Sequence, residues 1–153
     1  MDTPTLPFDY QVIERILPHR YPLLLVDRIT EFEVDKRIVG IKNVSMNDPL
    51  LWRDGKGAPA MPPTILTEAV AQVGAILILA KPDNRDKLIF FGAIERVRYR
   101  LPVRPGDSVV IEARVIRLRS RVGVLQGHAS VDGRVVMDGR MTFALSDKGE
   151  RPA

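Results

Sequence analysis

Glu68 is the only charged residue between Lys56 and Lys81. The run around it, Pro62-Pro63-Thr64-Ile65-Leu66-Thr67-Glu68-Ala69-Val70-Ala71-Gln72, is apolar on nearly every side. A carboxylate on a buried helix needs hydrogen-bond donors, a proton or a reaction to take part in. A glutamate in an early helical turn is also favoured by the helix dipole, so a solvated or salt-bridged role is the competing reading. Two histidines, His19 and His128, stand far apart in the chain, and no zinc or other metal site is expected from them. His128 alternates with Gln126 and Ser130 on the polar side of a predicted strand. Cysteine is absent, which excludes disulfides, thiolate ligands and thiol nucleophiles and is compatible with a reducing cytoplasm.

A second constellation is electrostatic. The formal net charge is +4 and the pI is near 9.7. Eight arginines fall between Arg96 and Arg121, against Asp107 and Glu112. Arg96, Arg98 and Arg100 alternate with Val97, Tyr99 and Leu101, which predicts one solvent face of a strand. Such a face is either simply solvated or a docking patch for an acidic carrier protein or phosphorylated ligand. Nucleic acid is not the expected partner, because stacking aromatics are not interleaved with the basic residues.

The elements that must hold these groups follow from periodicity and punctuation. With 153 residues, the chain suits a single domain with a sizeable core. Residues 1–7, with Pro4 and Pro7, read as an arm, and no secretory leader is expected from Met1-Asp2-Thr3-Pro4. A helix is predicted over Phe8–Leu17, ended by Pro18, and strands over Leu23–Phe32 and Lys36–Val44. Asn47-Asp48-Pro49 opens a loop that runs to Pro59. Pro62-Pro63 then starts a helix to Leu79, about 25 Å long at 1.5 Å per residue. Its longest apolar stretch, Ala69–Ala80, is shorter than the roughly 20 residues a membrane span needs. Strands are predicted over Lys87–Leu101, Ser108–Leu118, Val122–Val131 and Arg134–Leu145, the last two joined by Asp132-Gly133, and 147–153 reads as a disordered tail. The expected class is α+β, an antiparallel sheet wrapped around one buried helix.

Several segments together resemble the β-hydroxyacyl-acyl-carrier-protein dehydratases, of the hot-dog fold. They are Leu17-Pro18-His19-Arg20-Tyr21-Pro22 through Asp27-Arg28, Asn47-Asp48-Pro49, Met61-Pro62, Glu68-Ala69 with Ala71-Gln72, Arg100 to Asp107, and Val131 to Val136. The resemblance implies a site shared across a dimer, built from a loop histidine, a helix carboxylate and a backbone N–H at the helix start. Glu68 matches the carboxylate, Asp54 stands at the histidine position and Pro63 at the glycine that would supply the N–H. Proline has no N–H to donate, and aspartate is a weaker base than histidine by about 2.6 pH units.

By the same resemblance, catalysis falls to Glu68 and Asp54, with one carboxylate holding a proton while the other acts as base. Met61, Pro63 and Gln72 are substrate contacts, Phe90 and Phe91 border an acyl channel or belong to the core, and Arg96, Arg98 and Arg100 dock the carrier. His19, within the opening signature, takes a structural role. The implied ligand is an acyl thioester on acyl carrier protein or coenzyme A, with no cofactor. The implied assembly is a cytoplasmic homodimer, possible as a trimer of dimers or as a mixed dimer with a related subunit. Three functions remain open: dehydration of 3-hydroxyacyl groups, thioester hydrolysis by Glu68, and non-catalytic binding as a partner subunit.

Overall fold

The computed structural model describes residues 4–148. A two-turn helix α1 (Tyr10–Ile16) is capped by Asp9, whose carboxylate accepts from the Val12 N–H. Strands β1 (Arg28–Glu33) and β2 (Arg37–Asn43) form a hairpin, and two-residue strands β3 (Trp52–Arg53) and β4 (Pro59–Ala60) pair around the Asp54 loop. Helix α2 (Pro63–Leu79) follows, then a short 3-10 turn (Pro82–Asn84) and four long strands, β5 (Lys87–Tyr99), β6 (Ser108–Arg119), β7 (Val122–Val131) and β8 (Arg134–Asp147). The main sheet is antiparallel in the order β1-β2-β6-β7-β8-β5.

Helix α2 lies against the concave side of this sheet, and every residue from Ala69 to Leu79 is buried. The approach is close because glycine faces it. A Cβ on Gly127 of β7 would lie 2.4 Å from Val70 Cγ1, and one on Gly74 of α2 would lie 2.7 Å from Leu125 Cδ1. Helix and sheet meet at backbone distance there, which is where missing side chains matter most. Apolar alternation on β6, β7 and β8 (Val109, Ile111, Ala113; Leu125, Ala129; Met137, Met141, Phe143) supplies the facing half of the core.

The α2 span and the β7 span coincide with expectation, and Asp132 and Gly133 take positive φ of 48° and 75° in the hairpin turn. Two expectations change. The first strand begins at Arg28 rather than Leu23, because the Leu23 carbonyl and the Leu25 N–H bond the Gln72 side chain instead of a neighbouring strand. Two residues expected in the 147–153 tail are ordered instead: Asp147 pairs with Lys87 as the last residue of β8, and Lys148 forms a turn. Residues 1–3 of the expected arm and 149–153 of the tail lie outside the described residues.

Candidate active site

The first three turns of α2 and the loop 18–27 build the site. Because α2 is apolar all round and sheathed by the sheet, its only charged side chain can leave the core only where the sheath is open. Glu68 does so, with its side chain 40% exposed. Its Oε1 lies 3.3 Å from His19 Nε2 and accepts from Gln72 Nε2 at 2.9 Å. Its other oxygen, Oε2, has no hydrogen bond among the described residues. Glu68 and Gln72 are four apart, one helical turn, so they stack on one face. The His19 hydrogen bond is the main influence that holds the Glu68 carboxyl below its ordinary range. Partial burial opposes it, and the Gln72 bond adds to it.

Gln72 is the organiser of this corner. The sequence reading set it among substrate contacts; here it is 1% exposed and bonded wholly within the chain. Its amide oxygen accepts from Leu25 N at 2.9 Å, and its amide nitrogen donates to Leu23 O at 2.7 Å and to Glu68. The amide therefore ties the His19-bearing loop to α2. The approach of His19 to Glu68 was missed by sequence reasoning, since 49 residues separate them. The one available signal was the histidine's place in a Pro-bounded segment rich in polar and aromatic residues. Among the described residues, the buried His19 Nδ1 has no partner, so the tautomer with the proton on Nε2, donated to Glu68, suits the geometry.

Asp54 occupies a different network. Its Oδ1 accepts from the Lys56 and Ala58 N–H groups at 2.8 and 3.0 Å, and its Oδ2 from Arg104 Nη2 at 2.6 Å. The Arg104 bond, followed by the two backbone donors, holds its carboxyl below the ordinary range. Arg104 also donates to Pro59 O at 3.0 Å, so one arginine pins both ends of the loop between β3 and β4. Within this chain the two carboxylates share no contact.

The remaining expected site residues divide. Met61 is buried, whereas Pro63 is half-buried at the first turn of α2 and lines a cavity with Asp54. Phe91 packs against the core, and its neighbour Phe90 points outward, 38% exposed. The strict alternation expected of the arginines is broken by a bulge between Glu95 and Arg98, where Arg96 takes φ +54°. Arg98 and Arg100 both approach Asp138, at 3.9 and 2.7 Å. Arg96 is exposed and forms no ion pair among the described residues. Those residues also hold no group of three or more His, Cys, Asp or Glu side chains that could bind a metal.

Comparison with known proteins decides the family. A FabA-like domain matches residues 17–140. The 3-hydroxyacyl-acyl-carrier-protein dehydratase FabZ of Thermomicrobium roseum is 47% identical over 135 residues, covering 88% of this chain and 91% of the relative. The chain belongs to the β-hydroxyacyl-acyl-carrier-protein dehydratase family.

Another dehydratase of this family, FabZ of Anoxybacillus flavithermus, is 46% identical over 92% of this chain and 99% of its own length. Among solved structures, a chain of the dehydratase heterocomplex ApeI:P from Xenorhabdus doucetiae superposes with a TM-score of 0.79 at 22% identity, over 96% of this chain and 95% of that one. The six-stranded sheet around α2 is therefore the hot-dog fold. Within the described residues, no helix of this dehydratase-family protein is long and apolar enough to cross a membrane.

Proposed function

We propose that this protein binds 3-hydroxyacyl thioesters carried on acyl carrier protein and removes water from them in fatty-acid or related acyl-chain synthesis, with Glu68 as the reacting group. The observation that carries the reading is the arrangement of the carboxylate. Both hydrogen bonds land on Oε1, which leaves Oε2 for substrate. The two donors favour the ionised form, so Glu68 is a base at neutral pH. Oε2 takes the proton from the carbon next to the thioester carbonyl. The C–O bond to the 3-hydroxyl then breaks, and the same carboxyl returns the proton to that hydroxyl, giving water, the enoyl thioester and the original carboxylate. One group serves as base and then acid on one side of the substrate. His19 and Gln72 orient it and carry part of its charge.

In this reading Asp54 shapes the loop rather than moving protons, since its oxygens already hold three donors. Gln72 becomes a positioning residue, while Met61, Pro63 and Phe90 stay on the substrate side. Arg96 leads the carrier-docking patch, with Arg98 and Arg100 partly neutralised by Asp138. A cytoplasmic dimer is part of the proposal. Strand β5 ends the sheet order, is paired on one side only, and exposes Phe90 and Ile94. Such an edge suits a second subunit.

A second reading has its own support. The loop of this chain offers a partner no free base, while Glu68 remains available, which is the pattern of a chain that completes a mixed dimer. Intact-mass analysis of a panel of 3-hydroxyacyl and enoyl carrier-protein thioesters separates the cases. The first reading expects loss or gain of one water, abolished by Glu68→Gln. Turnover only after a related subunit is added supports the mixed dimer. Release of the whole acyl group overturns both in favour of hydrolysis.

A further inference from the structure

Pro63 leaves the start of α2 without the N–H that its position would otherwise offer to a carbonyl oxygen. Two hydroxyls stand beside the gap. Thr67, one turn further along α2, is buried, and its Oγ1 lies 3.2 Å from Pro63 O and 2.5 Å from the Oη of Tyr99, the last residue of β5. Tyr99 is 46% exposed. It lines a cavity of ≈ 240 Å³ together with Trp52, Asp54, Met61, Pro63 and Leu101. A buried threonine thus holds an accessible phenol in the lining of the same cavity that Pro63 borders.

The two protons of this pair can be arranged in two ways. Tyr99 donates to Thr67 while Thr67 donates to Pro63 O, or Thr67 donates to Tyr99 and the phenol proton is free. The Pro63 carbonyl lies in the first helical turn, where the helix's own ladder gives it a donor in either case. An arriving acceptor can therefore turn the phenol proton outward at little cost. We propose that Tyr99, oriented by Thr67, donates to the thioester carbonyl the hydrogen bond that Pro63 cannot give. Tyr99 would be the catalytic donor and Thr67 a positioning residue. The inference rests on the acyl-thioester reading above and adds a group to it.

Its test is the infrared carbonyl band of a saturated acyl carrier-protein thioester labelled with ¹³C at the carbonyl and bound to the protein. The band is expected to fall in frequency on binding. It should move back toward the free value in Tyr99→Phe and part of the way in Thr67→Val, both of which keep the side-chain shape. Adding Pro63→Gly to Tyr99→Phe, which restores a backbone N–H, should lower it again. With a 3-hydroxyacyl substrate, Tyr99→Phe should reduce kcat by about 10²–10³-fold, the usual effect of removing one such donor, with KM little changed. A bound band identical in wild type and Tyr99→Phe overturns the proposal even if the enzyme turns over. A band that shifts as expected without turnover supports Tyr99 and removes the dehydration reading. No binding of the labelled thioester overturns both.

Discussion

Replacing Gln72 with leucine tests whether one buried amide holds the active corner together. Leucine keeps the volume but removes two donors and an acceptor. The Leu25 N–H, on a residue 3% exposed, loses the one hydrogen-bond partner it has among the described residues. An orphaned buried donor costs about 1–3 kcal/mol. The Leu23 carbonyl costs far less, because Leu23 is half exposed and water can replace the amide. Better apolar burial of leucine offsets part of the loss, by roughly 1 kcal/mol.

The net expectation is a destabilisation of up to about 2 kcal/mol, which for a domain of this size lowers Tm by up to roughly 8 °C. Denaturant melts with unchanged m-value would measure it. Hydrogen exchange should also speed up over residues 18–27 more than elsewhere, since that loop is what the amide tethers. Glu68 loses one donor directly and His19 indirectly, so kcat should fall by about tenfold for each 1.4 kcal/mol of lost stabilisation. A Gln72→Leu protein as stable as wild type, with unaltered exchange over 18–27, would refute the reasoning.

Three further outcomes are expected. Because donors to the Glu68 carboxylate outweigh burial, its folded-state pKa lies below the unfolded value. The group therefore contributes stability above the unfolded pKa that is lost as pH falls through the folded one, and the acid limb of kcat/KM should lie below the ordinary glutamate range. His19→Ala should move that limb to higher pH, and an unmoved limb would count against the His19 bond. Asp54→Asn should alter turnover only a few-fold rather than the about 10²–10⁴-fold expected for loss of a general base. Arg104→Met, in contrast, should speed hydrogen exchange across the β3–β4 loop. Gly127→Ala should destabilise by about 1–3 kcal/mol through overpacking. Val70→Ala should recover part of that loss in a double-mutant cycle, because the added Cβ meets Val70 Cγ1.

Much of this protein is written locally in its sequence. The length and burial of α2 follow from its proline start and unbroken apolar run. Likewise, the β7–β8 hairpin follows from Asp132-Gly133 between β-branched residues. Glu68 stood out because a charge in such a helix is conspicuous without any neighbour being known. Periodicity could not anticipate the bulge at Arg96, which depends on how β5 meets β8.

The company each reactive group keeps was decided only by tertiary structure. Gln72 reads as one polar residue on a helix, yet it delays the start of the predicted first strand and brings His19 to Glu68. Asp54 reads as a displaced base, yet Arg104, 50 residues away, occupies it as a loop anchor. Thr67 and Tyr99 meet only because the end of β5 passes the second turn of α2. Spacing and hydropathy act between neighbours in the chain. Hydrogen bonds between side chains tens of residues apart form only after the sheet has closed around the helix, and these bonds set which carboxylate keeps an oxygen without a donor among the described residues.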